Sequence, residues 1–205
     1  MVTVMQVVVS EDGVARCGWA ATTPDYFSYH DAEWGFGATD ETRLFEKMCL
    51  EGFQSGLSWI TILRKRENFR AAFDGFDVAK VARYTERDVE RLLADAGIVR
   101  HGGKIRSAIN NAQRTLELRE QFGSLAAFFW RYADLSDTPP EQLPAVTEAS
   151  TALSKELKKL GFSFVGPTTM YAHMQAMGLV NDHLAGCPAR PAAQTSRVAA
   201  AARVT

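Results

Sequence analysis

Two pairs of metal-binding side chains stand at opposite ends of this 205-residue chain: Cys17 and His30 near the start, His183 and Cys187 near the end. One ion that gathered all four would clip the two ends together and force the intervening chain to fold back on itself. His-x3-Cys is a compact half-site, because its spacing lets both donors face one ion from a turn or helix end. Cys-x12-His is a looser half. Together they make Cys2His2, the closed tetrahedral set of structural zinc, with no position left for a reacting water. From these residues alone two alternatives stand beside the clip. One is a Cys17–Cys187 disulfide, disfavoured in a reducing compartment. The other is two pairs that never meet. Cys49 falls in an apolar helical stripe and reads as a core thiol.

The length suits one sizeable domain or two small lobes sharing a cleft. The hydrophobic fraction of 46% can build a substantial core. The formal net charge of −1 gives no global basic field, so any nucleic-acid contact must use a local face. Three scattered cysteines fit a cytoplasmic setting. No apolar run approaches the ~20 residues that span a bilayer. Residues 1–14 form an apolar extension, a short strand or a frayed end, without the basic leader and cleavage site of a signal peptide. Residues 15–187 are expected to form the domain, and the Ala-, Pro- and Arg-rich stretch 188–205 a disordered tail.

Between these ends the periodicity is helical, and the fold class expected is all-α. Thr39-Asp40 caps a helix through Leu44, Phe45, Met48 and Cys49, which Gly52 and Gly56 then break. Ser58 caps the next, Trp59 to about Arg64, with another turn or two from Asn68 to Phe73. Thr85 and Asp88 form a capping box before Val89, Leu92 and Leu93. Gly102-Gly103 opens a long helix with Ile105, Ile109, Ala112, Leu116 and Leu118 on one face, and Lys104, Arg106, Arg114, Glu117 and Arg119 on the other. Ser124 caps Leu125–Tyr132. Residues 137–145, with three prolines, read as a surface connection. Ser150 or Thr151 starts a helix with Lys155, Lys158 and Lys159 outward. Pro167 opens the last helix, which Gly178 closes.

Chemistry gathers in two places. Trp19, Tyr26, Tyr29 and Trp34 surround the first metal pair, and Trp59 follows soon after. Singly each can be core filler; together they suggest a flat, π-lined slot. Glu51 ends an otherwise apolar helix face. It reads either as a solvated carboxylate or as an acid on the pocket floor, able to accept from an exocyclic amine and balance a positive charge. A slot of ring faces plus one carboxylate favours a flat cation. Separately, the segment from Leu160 to Thr169 joins two helices through a glycine-framed turn. It resembles a helix-hairpin-helix, whose backbone N–H groups grip a phosphate without reading sequence. Val165-Gly166 fits that turn, while Phe164 replaces its usual first glycine. A plain αα-hairpin is the alternative.

In order, the segments are Arg16-Cys-Gly-Trp19, Tyr29-His-Asp-Ala-Glu-Trp-Gly35, Leu44-Phe-Glu-Lys-Met-Cys-Leu-Glu-Gly52, Gln54-Ser-Gly-Leu-Ser-Trp59, Gly161-Phe-Ser-Phe-Val-Gly166 and Gly178-Leu-Val-Asn-Asp-His183. The series resembles the bacterial 3-methyladenine DNA glycosylase I family from about Arg16 to Cys187. The resemblance implies a helix-hairpin-helix glycosylase fold, with two helical lobes flanking a cleft and the N- and C-terminal segments joined by a structural zinc. Cys17, His30, His183 and Cys187 would be its ligands. Glu51 would contact the excised base. Tyr29 and Trp59 would line or stack on it, with Trp19, Tyr26 and Trp34 completing the pocket. Leu57 would fill the gap left by the flipped nucleotide, and Gly166 and Thr168 would meet the DNA backbone. The partner would be double-stranded DNA carrying alkylated bases, acted on by a monomer.

The resemblance implies hydrolytic removal of 3-methyladenine. No lysine nucleophile is expected in the pocket segments, and so no strand cleavage. Asp182 is a candidate either for supporting the sugar cation or for a structural role. Phe53 stands where the family pattern suggests glutamine, beside the expected pocket wall. It leaves open a shifted alkylpurine range. A DNA-binding relative without excision and a zinc-stabilised interaction module are the remaining alternatives.

Overall fold

The computed structural model describes residues 6–204. Met1–Met5 of the expected extension and Thr205 lie outside the described residues. The rest of the extension is not frayed: β1 (Val7–Val9) pairs antiparallel with β2 (Ala15–Cys17) in a small hairpin. This is the sole sheet among the described residues, and otherwise the fold is helical. Pairing sets Val7 opposite Cys17, so the hairpin fixes the backbone of the first candidate metal ligand.

The helices are α1 (Phe27–Ala32), α2 (Glu41–Gln54), α3 (Trp59–Ala72), α4 (Val78–Val81), α5 (Glu86–Ala94), α6 (Gly102–Phe122), α7 (Leu125–Trp130), α8 (Glu148–Lys159), α9 (Pro167–Ala176) and α10 (Ala189–Val204). Their starts follow local chemistry. The Asp40 carboxylate accepts from Arg43 N, and Ser124 Oγ from Ala127 N. Thr85 and Asp88 form the expected box. The start of α8 lies earlier than expected, because Thr147 and Ser150 cap each other reciprocally. Gly52 does not break α2, and α3 runs unbroken through the stretch read as two pieces.

Helix α2 is the central beam. It packs against α3, α6, α7 and α9, and ten consecutive residues from Leu44 to Phe53 are buried. That enclosure explains a departure from a simple amphipathic reading: Glu46, Lys47 and Glu51 are buried charges on a helix with no solvent face there. Phe53 points away from the expected pocket wall. Its ring lies 4.7 Å from Phe69 and 5.7 Å from Phe73, within the aromatic core. Lys104, assigned to a solvated face, is also buried. Its Nζ donates to Phe53 O (2.8 Å) and Ser55 O (2.5 Å), satisfying carbonyls at the C-terminus of α2.

The stretch expected to be a disordered tail is helix α10, docked on the body. Alanine favours helix, and small side chains allow close approach. A Cβ on Gly37 would stand 2.6 Å from Ala200 Cβ, so glycine is what lets the helix seat. Arg197 is fully buried and donates to Gly178 O (2.6 Å), Leu179 O and Asp134 O. Arg190 donates to His183 O at 2.6 Å and Asn181 O at 2.9 Å. Composition alone missed this because the docking uses alanines and arginine–carbonyl bonds rather than large apolar side chains.

Candidate base-binding site and metal cluster

The four proposed ligands meet. Cys17, His30, His183 and Cys187 are buried, and their donor atoms lie within 4.8 Å of one another. Cys187 Sγ is 3.6 Å from His30 Nε2 and 3.5 Å from His183 Nδ1, and Cys17 Sγ is 3.9 Å from His183 Nδ1. The far ring nitrogens are also engaged. His30 Nδ1 lies 2.8 Å from Asp31 Oδ1, and Asp31 in turn accepts two-pronged from Arg16. His183 Nε2 donates to Trp34 O at 2.9 Å. These contacts fix both rings with one nitrogen turned into the cluster, as metal-bound histidines require. The group can hold a metal ion.

Immediately beside it opens a slot of about 380 Å³ lined by Trp19, Tyr29, Trp34, Trp59, Glu51, Gln54, Leu143, Ala172 and Gln175. It brings together four of the five expected aromatics and the expected carboxylate. Tyr26 stands one layer out, packing edge-on against Trp19 at 5.4 Å, and does not line the slot. Leu143, Ala172 and the two glutamines carried no signal, since they come from a connection and from helix faces with ordinary composition. The slot and cluster share a wall: Trp34 stacks on His30 at 6.3 Å, and Trp19 meets His30 edge-on at 5.5 Å.

Behind the slot lies a residue that sequence reasoning missed. Lys47 Nζ is 2.7 Å from Glu51 Oε1, 2.9 Å from Tyr29 Oη and 3.2 Å from the Trp59 ring centroid. Lys47 is thus a lysine within the pocket segments, correcting the expectation that there was none. It lines a separate polar cavity of about 170 Å³, while Tyr29 and Trp59 line both spaces and form the partition. Burial pushes the Lys47 ammonium down to about 8, against the pull of Glu51. Burial, with Glu51 second, raises the Tyr29 hydroxyl well above its usual range, so it stays protonated. The signal that could have revealed Lys47 is its place at i and i+4 with Glu51 on the same face as Leu44 and Met48.

Asp182 does not enter the slot. Its Oδ2 accepts from Tyr171 Oη (2.6 Å) and Gln175 Nε2 (2.7 Å), so the carboxylate orients a glutamine that does line it. The hairpin between α8 and α9 is held by α6, where Asn111 exchanges two 2.9 Å bonds with Ser163, and by α8, where Ser154 Oγ donates to Val165 O. Phe164 takes φ +55, the left-handed conformation that glycine usually supplies in such a turn. Gly166 is the N-cap of α9, with Thr168 exposed in its first turn. Leu57 is 42% exposed at the tip of the α2–α3 loop, the loop whose base Lys104 ties down.

Comparison with known proteins agrees with this geometry. A model of the methyladenine glycosylase family matches residues 19–190. The chain is 51% identical over 181 residues to DNA-3-methyladenine glycosylase 1 of Escherichia coli K12, covering 86% of this chain and 97% of that protein. It is 44% identical over 180 residues to the Haemophilus influenzae DNA-3-methyladenine glycosylase, covering 85% and 97%. Among solved structures, 3-methyladenine DNA glycosylase I of Staphylococcus aureus, described for its recognition of 3-methyladenine, superposes with a TM-score of 0.79 at 37% identity, over 86% of this chain and 96% of that one. With slot, hairpin and family match in agreement, the chain belongs to the methyladenine glycosylase family.

Proposed function

We propose that the chain is a DNA-3-methyladenine glycosylase that flips the alkylated nucleotide out of duplex DNA and hydrolyses its glycosidic bond. The observation that carries this is the single slot in which Trp19, Tyr29, Trp34, Trp59 and Glu51 converge against α9, the helix that the hairpin opens. A base inside the duplex is out of reach, so it must be unstacked at a cost of about a few kcal/mol, least for a poorly paired lesion. The hairpin N–H groups at Gly166 and Thr168 hold the backbone, and Leu57 fills the vacated stack. In the slot the indole and phenol rings sandwich the base, while Glu51 accepts from its exocyclic amine.

3-Methyladenine is a cation while joined to deoxyribose. When the N9–C1′ bond breaks, its electron pair returns to the ring and the base leaves neutral. Water adds to C1′ and gives up a proton to solvent. The leaving group needs little acid catalysis, so recognition and orientation are the protein's main tasks. No lysine lines the slot, and Lys47 is held behind the Tyr29–Trp59 partition, which supports hydrolysis without strand cleavage. Release of free 3-methyladenine from alkylated duplex DNA, with intact strands, tests the reading; strand nicking at the resulting abasic sites contradicts it.

The ion we assign to the four-residue cluster is structural zinc. Tetrahedral zinc at ordinary Zn–S and Zn–N lengths sets its donors about 3.3–3.8 Å apart. Two observed sulfur–nitrogen separations, 3.5 and 3.6 Å, fall in that range, a third is slightly longer at 3.9 Å, and all four donors lie within 4.8 Å of one another. Two thiolates and two imidazoles close the coordination sphere, so the ion would hold the Trp19–Trp34 wall rather than activate water. The three unpaired cysteines suit a reducing, cytoplasmic setting. No described helix is long and apolar enough to cross a membrane.

A further inference from the structure

The slot's carboxylate is not free. Glu51 is ion-paired from behind by Lys47, whose side chain is 7% exposed and whose ammonium also bonds Tyr29 and sits over the rear of Trp59. A slot carrying Glu51 alone would be net negative and would draw cations. With Lys47 charged, the same slot is electrically balanced before any base arrives. A cationic base stacked on Trp59 and bonded to Glu51 meets a like charge across the same ring and the same carboxylate.

We propose that Lys47 is a specificity-determining residue: as the counter-ion of Glu51 it suppresses the slot's preference for charged over neutral bases, leaving selection to stacking and hydrogen bonding. The inference rests on the proposed base-binding role of the slot. The surroundings isolate Lys47 as the group that changes charge near neutral pH. From its own helix it faces Glu51, Arg43 and Glu46; from α3, Arg66 and Arg70. Glu33 and Tyr29 face it from the N-terminal segment, and His173 from α9. Glu33–Arg66 and Glu46–Arg70 are closed ion pairs. Tyr29 stays protonated, and burial followed by the Lys47 charge pushes His173 down to about 3, so it stays neutral. Lys47, at about 8, loses its proton in the alkaline window. Its positive charge is present below that value and gone above it, so the preference for a cation should rise with pH.

The test uses the full-length protein and tryptophan fluorescence titration with two probes. One is 3-methyladenine, a neutral free base. The other is 3,9-dimethyladeninium, a permanent cation with methyl where the sugar attaches. In wild type, the cation-to-neutral affinity ratio should climb between about pH 7 and pH 9. Lys47→Met should raise that ratio about tenfold at neutral pH and flatten the profile. Lys47→Arg, which keeps the charge and does not titrate, should hold the low ratio throughout. A purely structural lysine would weaken both probes alike. If wild type binds both probes with a pH-independent ratio, or Lys47→Met leaves the ratio unchanged, the inference is overturned while the base-slot reading stands. If Lys47→Met fails to fold, the wild-type profile against that of Lys47→Arg decides. If neither probe binds wild type, the slot reading falls and this inference with it.

Discussion

The candidate metal cluster and the proposed base slot share a wall yet treat their polar groups in opposite ways. In the cluster the donors that do not turn inward are bonded: His30 to Asp31, His183 to Trp34 O. In the slot, one side of Glu51 is bonded to Lys47 and the other side lines open space. The closed arrangement is suited to holding chain segments, the half-satisfied one to receiving a ligand. Trp19 and Trp34 belong to both. Damage to the cluster should therefore reach the slot through those rings, whereas damage to Glu51 should leave the cluster intact.

That asymmetry can be broken from either side. The largest effect should come from Glu51→Gln, which keeps shape but removes the charge. Base release should fall about 10²-fold, the worth of charge-assisted bonds lost at the reacting base. Metal content by elemental analysis should be unchanged. Cys17→Ser comes next. Loss of one ligand should release the metal and destabilise the chain by several kcal/mol in denaturant titration. Base release should drop with it, because the Trp19–Trp34 wall loosens. A variant that keeps its metal and full stability would contradict the clip.

Arg197→Met should cost about 2–4 kcal/mol, since the guanidinium's bonds to Gly178 O, Leu179 O and Asp134 O are lost inside the fold. Because α10 braces the His183 backbone through Arg190, metal affinity should weaken too. A smaller effect concerns acid. His173 is held at about 3 in the folded chain, chiefly by burial, against its ordinary 6.5. The unfolded chain therefore binds the extra proton first, and stability should decline as pH falls from 6.5 toward 3, then level off for this group. His173→Leu should lose less stability over the same range in chemical denaturation. Equal acid slopes for the two proteins would show that His173 does not contribute.

Much of the site could be read from the sequence because its chemistry is carried by rare residue types. Four metal donors and three clustered tryptophans offer few ways to be arranged, and the short spacing from His183 to Cys187 points to a shared ion. The helices were equally readable where a side chain caps them, as at Asp40, Thr85 and Ser124. What stayed hidden depended on burial by distant segments. Lys47 and Lys104 look like solvent-facing lysines until α3, α9 and the α2 terminus are placed around them. The 189–204 helix was hidden because its anchor, Arg197, bonds to carbonyls, which no side-chain pattern records. Phe53 looked like a pocket residue from its neighbours, but the helix turns it into the phenylalanine core.

The account turns on Glu51 in an aromatic slot acting on a flipped base, and base release from alkylated duplex DNA measures that most directly. Purified wild type should liberate 3-methyladenine and leave the strands uncut. Glu51→Gln, with its metal content unchanged, should do so about 10²-fold more slowly. Release by Glu51→Gln at the wild-type rate, or no release by wild-type protein that carries its metal, would contradict it.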